Sequence, residues 1–168
     1  MEVNKSESFF NESARATGRL TPNWTESLDE AFGAPGIKGR EGELFLIKVF
    51  ESWDWDVKDH ESDKKMQVKG IDLSFRNPSW LNFYTCDVKN NMDEYGCFYV
   101  YKDWLYKIKA DRVFHVNPNT GWLAWYGVDE MREWFNGEIL AGFNEVIDRI
   151  KLIPRKSPKF IKRSKYNG

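Results

Sequence analysis

Between residues 40 and 90 one helical pattern is followed by three strand patterns, and that order restricts the chain to a domain packing a helix on a sheet. In "REGELFLIKVFES", at about 100° per residue, Phe45, Leu46, Ile47, Val49 and Phe50 share one broad arc. Arg40, Glu41, Lys48 and Glu51 cluster on the opposite side. Glu43 does not join them; it falls between Phe50 and Ile47, on the face that must pack inward. A carboxylate there costs several kcal/mol to desolvate unless something pairs with it. The other reading puts Glu43 in a first turn that water still reaches and the helix dipole favours.

"WDWDVKD" alternates, with Trp53, Trp55 and Val57 on one face and Asp54, Asp56 and Lys58 on the other, which predicts a half-buried strand. "HESDKK" reads as a loop. "MQVKGIDLSF" reads as a second strand, with Gly70 at a bulge or a close approach. "RNPS" turns the chain and "WLNFYTCDVK" is the third strand. Further on, "EYGCFYVYKDWLYKI" fits a strand or a short helix. "DRVFHV" and "WLAWY" flank "NPNTG" as a hairpin, "VDEMREWFNG" is a helix closed by Gly137, and "FNEVIDRIKL" is helical or mixed. A helix followed by a meander opens an α/β or α+β domain.

Residues 1–38 are polar and irregular and read as an N-terminal arm. It holds one short helix at "TESLDEAF", closed by Gly33, and "APGIKG" then breaks the chain before the first strong element. The core domain spans 39–150 and a basic tail spans 151–168. A chain of 168 residues is about one domain's worth, and 41% hydrophobic residues with eight Trp is too much burial potential for disorder. No apolar run approaches the roughly 18 residues of a membrane helix, and the N-terminus lacks a signal-peptide pattern. Cys86 and Cys97 form no ligand pattern or disulfide framework, which fits free thiols in a reducing cytosol. Asn23-Trp24-Thr25 matches a glycosylation acceptor by pattern, with nothing else pointing to secretion.

The net charge of −1 is unevenly spread. From Lys151 onward seven bases meet no acid, which leaves 18 bases against 26 acids, a balance of −8 over residues 1–150. An acidic body speaks against a broad nucleic-acid-binding face. The tail residues Arg155, Lys156, Lys159, Lys162, Arg163 and Lys165 suit an anionic partner, or else a solubilising end. Pro154 and Pro158 preclude a continuous helix there. Lys102, Lys107, Lys109 and Arg112 alternate with Trp104 and Tyr106, a pattern found in nucleic-acid binding and in amphipathic elements alike.

The chemistry gathers on the strands. A period of two puts Thr85, Asp87 and Lys89 on one side of the third strand. Asp72 follows Gly70 on the second and lies beside Asp87 if the two strands pair. Two adjacent carboxylates repel unless a cation sits between them. Magnesium suits such a pair, since it takes one or two carboxylates and keeps several waters. Lys89 on the same face could serve an attacking water or offset charge on a phosphate.

With "GREGE" on the helix, "GIDL" on the second strand and "CDVK" on the third, the chain resembles the PD-(D/E)xK nuclease superfamily over roughly residues 39–90. The resemblance implies an αβββαβ restriction-endonuclease-like core, a central mixed sheet flanked by helices. It also implies a Mg2+-dependent endodeoxyribonuclease, Mn2+ being able to substitute. Glu43 matches the helical acid, Asp72 the first strand acid, and Asp87 and Lys89 the paired motif. Asp72, Asp87 and the Val88 carbonyl would hold the ion, with Glu43 supporting it through a water. Two departures stand out: Ile71 precedes Asp72 where the family commonly has Pro, and Asp87 stands where Glu is common. The implied partner is DNA. Symmetric cutting of two strands favours a homodimer, and a cytoplasmic enzyme of phage or mobile-element origin fits the type. The alternative is a non-catalytic nucleic-acid-binding or protein-interaction module on the same fold. His60 and His115 lack the spacing of a His-Asn metal nuclease, and no Gly-rich phosphate loop occurs.

Overall fold

The apolar arc of the first helix is buried as its spacing dictates: Phe45, Leu46, Val49 and Phe50 are in the core and Ile47 is half-buried. The computed structural model of the chain describes residues 28–140 and 148–168, with side chains over 36–138 and 148–168. Expectations for residues 1–27, including Asn23-Trp24-Thr25 and the first three residues of "TESLDEAF", and for 141–147 lie outside the described residues.

Helix α1 spans Leu28–Ser52, so the arm does not end at residue 38, and neither the stop at Gly33 nor the break at "APGIKG" occurs. Gly and Pro inside a helix cost about 1 and 3 kcal/mol respectively. Four buried side chains, Phe45, Leu46, Val49 and Phe50, return about 1.5–3 kcal/mol each and anchor the C-terminal half of α1, while residues 36–38 stay exposed. At its C-terminus Asp54 takes a left-handed φ of 61°, which a short polar side chain tolerates. The chain therefore turns through Trp53–Trp55, and β1 is only Asp56–Asp59. Trp53, Trp55 and Val57 still face the cluster beneath α1, as their alternation requires.

The second strand is also shorter than its pattern. Asp63 accepts from the backbone N–H groups of Lys65 and Met66 and caps α2, Lys64–Val68. Met66–Val68 is thus helical, and β2 is Leu73–Arg76. Residues 80–83 are irregular and β3 is Tyr84–Lys89. The ambiguous aromatic run divides into β4, Phe98–Tyr101, and α3, Lys102–Leu105. The hairpin forms as expected from β5, Arg112–Val116, and β6, Trp122–Gly127. Helix α4, Val128–Leu140, continues past Gly137, and "FNEVIDRIKL" ends in β7, Arg149–Leu152.

The architecture is mixed α/β. A six-stranded sheet has the order β1-β2-β3-β5-β6-β8, where β8 is Lys162–Lys165. The pair β3–β5 is parallel and its other pairs are antiparallel. Alternate residues feed two cores. Cys86, Val88, Phe114 and Leu123 pack under α1, while Val113, Ala124 and Tyr126 pack against α4 and the two-stranded β4–β7 ribbon. No helix among the described residues is long and apolar enough to cross a membrane.

The basic segment is not a separate tail. The expected boundary at 150/151 falls inside β7, and β8 is an edge strand of the main sheet, paired with β6. Ile161 is buried, Arg163 donates to Gly96 O at 2.7 Å and Ser157 Oγ at 3.0 Å, and Tyr166 N–H donates to Gly121 O. Pro154 opens a 3-10 turn and does not merely extend the chain. Arg155, Lys156, Lys159, Lys162 and Lys165 remain exposed, whereas Arg163 is half-buried and committed to structure. Charge composition could not reveal this, because an edge strand shows the same alternation of cations whether it pairs or not.

Candidate active site

Asp72 stands immediately before β2 and straddles Asp87. Its backbone N–H donates to Cys86 O at 2.9 Å, and its carboxylate Oδ2 accepts from Val88 N–H at 2.8 Å. The β2–β3 register pairs Leu73 with Cys86, so one antiparallel step further Asp72 falls opposite Asp87, as strand alternation suggested. The carboxylate thereby takes the place of a ladder carbonyl where β2 begins.

Cys86 and Val88 point beneath α1, so Asp87 and Lys89 face the other layer. Lys89 Nζ lies 3.0 Å from Asp87 Oδ2, with side chains only 13% and 6% exposed. This is no solvent-exposed ion pair. The contact has ion-pair distance but not hydrogen-bond direction, and Oδ2 is fully buried with no hydrogen-bond partner among the described residues. A buried carboxylate oxygen in that state has the charge of Lys89 beside it but lacks a hydrogen-bond donor. The indole of Trp104, on α3, lies beneath Lys89 Nζ at 4.9 Å, a cation–π contact that steadies the ammonium.

Glu43 comes from the α1 side. The next residue back, Gly42, touches the end of β3: a Cβ there would stand 2.9 Å from Asn90 Cβ and 3.3 Å from Val116 Cγ2. Only glycine lets the helix approach this closely. Asn90 Nδ2 reinforces the contact by donating to Lys38 O at 2.8 Å. Glu43 Oε1 accepts from Arg40 at 2.8 Å, and Arg40 also binds Asp59 at 2.6 Å and Glu61 at 3.2 Å. The helical wheel set Arg40 apart from Glu43, but three residues along a helix bring long side chains together. Arg40's partners, Asp59 first, hold its guanidinium more firmly charged, and Arg40 in turn pulls Asp59 below the usual carboxylate range.

The fields of the three acids converge on one buried group. The Cys86 thiol is pushed well up by burial first, and then by Asp72, Asp87 and Glu43. The pair Asp72 and Asp87, with an Asp87 oxygen that accepts no hydrogen bond, fits a hard divalent ion that keeps most of its waters. Among the described residues no group of three or more His, Cys, Asp or Glu side chains forms a metal cluster.

His115 is a neighbour that sequence reasoning treated only as a strand residue. It pairs with Lys89 across the parallel β3–β5 ladder and is completely buried. Its Nδ1 lies 2.7 Å from Asn91 Oδ1 and its Nε2 lies 2.8 Å from Tyr126 OH. Asn91 Nδ2 donates to Tyr99 O, so Oδ1 must accept, Nδ1 carries the hydrogen and Tyr126 donates to Nε2. The ring is neutral: burial first, then Lys89 and Arg163, hold its pKa well below 6.5. Nothing in "DRVFHV" foretells Asn91 or Tyr126, which arrive from other segments.

Comparison with known proteins gives no match to a family model, to a curated protein or to a solved structure.

Proposed function

We propose that this protein is a metal-dependent DNA endonuclease with a PD-(D/E)xK-type site on a restriction-endonuclease-like core. The observation that carries the reading is the juxtaposition of Asp72 with Asp87, whose Oδ2 is buried without a hydrogen bond beside Lys89. The order α1, β1, β2, β3 with β5 parallel to β3 supports the core assignment. The crossover helix α3 is a single turn, a departure from the full helix of that core.

Asp72, Asp87 and the Val88 carbonyl are the groups that would hold Mg2+ or Mn2+, which supplies charge neutralisation at a phosphate oxygen. Lys89 offsets negative charge that develops on the phosphate and orients the attacking water. Glu43, steadied by Arg40, supports the same water. The neutral His115, beside Lys89 on the neighbouring strand, adds no second cation that would repel it.

Asp72→Asn, Asp87→Asn and Lys89→Ala should each abolish Mg2+-dependent cleavage of plasmid DNA while leaving DNA binding in place. Full cleavage by any of them ends this reading. A non-catalytic binding module would bind DNA identically with and without divalent ions and would never cut it.

A further inference from the structure

The structure joins two lysine-bearing segments that the sequence keeps more than thirty residues apart. Lys64, Lys65 and Lys69 lie on and just after α2, and Lys102, Lys107 and Lys109 lie on α3 and the loop beyond it; all six are exposed. Lys109 N–H donates to Lys69 O at 2.8 Å. Next to that bond Gly70 has a φ of +72° and no Cβ, and Ile108 Cγ2 comes within 2.8 Å of the place a Cβ would take. The two segments are therefore one surface, held by a backbone bond and a contact that only glycine allows.

Both segments lead by short stretches of chain to site residues. Asp72 follows Lys69 by three residues, and Trp104, two residues after Lys102, lies under Lys89. Within 64–69 and 102–109 the six lysines meet one acid, Asp103, although residues 1–150 as a whole carry −8. A local cationic wall on an acidic body concentrates attraction for a polyanion at that place.

We infer that this lysine wall is where the phosphate backbone of a DNA duplex lies when its scissile phosphate reaches Asp87 and Lys89. The occupant rests on the nuclease reading; the surface itself does not. The C-terminal bases are poorer candidates. Strand β8 stands three positions from β3 in the sheet, about 14 Å at ~4.8 Å per strand, which exceeds the screening length of about 8 Å in physiological salt. Arg163, moreover, is spent on Gly96 and Ser157.

The test uses the full chain, a labelled blunt DNA duplex and no divalent ion, so that binding is read apart from cleavage. Affinity is measured over a series of salt concentrations for wild type, for a wall variant and for a C-terminal variant. The wall variant carries Lys64→Gln, Lys65→Gln, Lys69→Gln, Lys107→Gln and Lys109→Gln. The C-terminal variant carries Arg155→Gln, Lys156→Gln, Lys159→Gln, Lys162→Gln and Lys165→Gln. Neutralising the wall should weaken binding at least about tenfold and flatten the log–log salt slope by up to about 4.5, whereas the C-terminal change should do less. Equal unfolding midpoints for the three proteins confirm that folding is intact. A wall variant with an unchanged slope, a larger effect from the C-terminal variant, or no DNA binding by wild type each overturns the inference. DNA binding through the wall without Mg2+- or Mn2+-dependent cutting would retain the surface and reject the nuclease. Cutting with a wall-independent slope would do the reverse.

Discussion

Lys89 Nζ sits 3.0 Å from Asp87 Oδ2, two residues away along the same face of β3, and neither side chain has much access to water. The pair is adjacent to a second carboxylate, Asp72, whose Oδ2 is engaged by Val88 N–H. Removing one member therefore leaves the other charged and buried, which typically costs about 3–5 kcal/mol.

Lys89→Met should destabilise the protein by about 3 kcal/mol, since Asp87 then faces Asp72 without its cation. Asp87→Asn should cost less, because the lysine left behind is the more exposed partner. Urea unfolding without metal gives this order. Mg2+ or Mn2+ should then raise the melting temperature of Lys89→Met by more than that of wild type, because the ion replaces the missing charge. Equal stability of Lys89→Met and wild type would remove the structural role of the pair.

Gly42→Ala should destabilise by about 1–3 kcal/mol through overpacking, despite alanine's better helix propensity of about 1 kcal/mol. The clash is with Asn90 Cβ, which cannot swing away as the end of a long side chain could. Gly39→Ala is the control: nothing lies within 4 Å of its Cβ, so it should stabilise by up to about 1 kcal/mol. Thermal melts of the two variants moving in the same direction would contradict this account of how α1 docks on β3.

Deleting 154–168 should cost at least about 3 kcal/mol and not merely reduce DNA affinity, because it removes β8 and the buried Ile161. Gly121→Ala tests the same docking with the full chain. Gly121 has a φ of +87°, and a Cβ there would run into the Tyr166 carbonyl. The variant should lose stability, read by denaturant unfolding. A truncated protein as stable as the full chain would mean that β8 contributes nothing to the sheet.

His115 predicts a pH dependence. The unfolded histidine takes up a proton near pH ~6.5, while the folded one, with its depressed pKa, stays neutral. Below that pH the unfolded state binds more protons, so this part of the stability is complete above about pH 6.5 and is lost as pH falls. From about pH 7.5 to about pH 5.5 wild type should lose about 1.4 kcal/mol more than His115→Gln. Asp59, whose pKa is lowered by Arg40, loses its contribution only as pH falls below about 4 and leaves this window clean. Equal slopes for the two proteins would show that His115 titrates normally.

The local periodicities of the chain were sufficient for the apolar arc of α1, for Trp53, Trp55 and Val57 facing inward, for the β5–β6 hairpin, and for Asp87 and Lys89 sharing a face. Each follows from a spacing that a single element imposes on its own side chains. Boundaries were harder to read, because they depend on which local hydrogen bond wins. The Asp63 cap turned Met66–Val68 into helix, and the left-handed Asp54 delayed β1. Helix α1 also runs through the glycines and Pro35 that should have divided it.

What only the tertiary structure decided is every relationship between segments. Sequence order offered Asp72 and Asp87 as candidates, but the antiparallel register and the Val88 N–H brought them together. Arg40 beside Asp59, Asn91 and Tyr126 around His115, and the bond from Lys109 to Lys69 leave no trace in composition or period. The C-terminal bases show the limit most plainly. Their charge was legible, but their place as an edge strand depends on β6 offering unpaired backbone groups that no feature of residues 151–168 reveals.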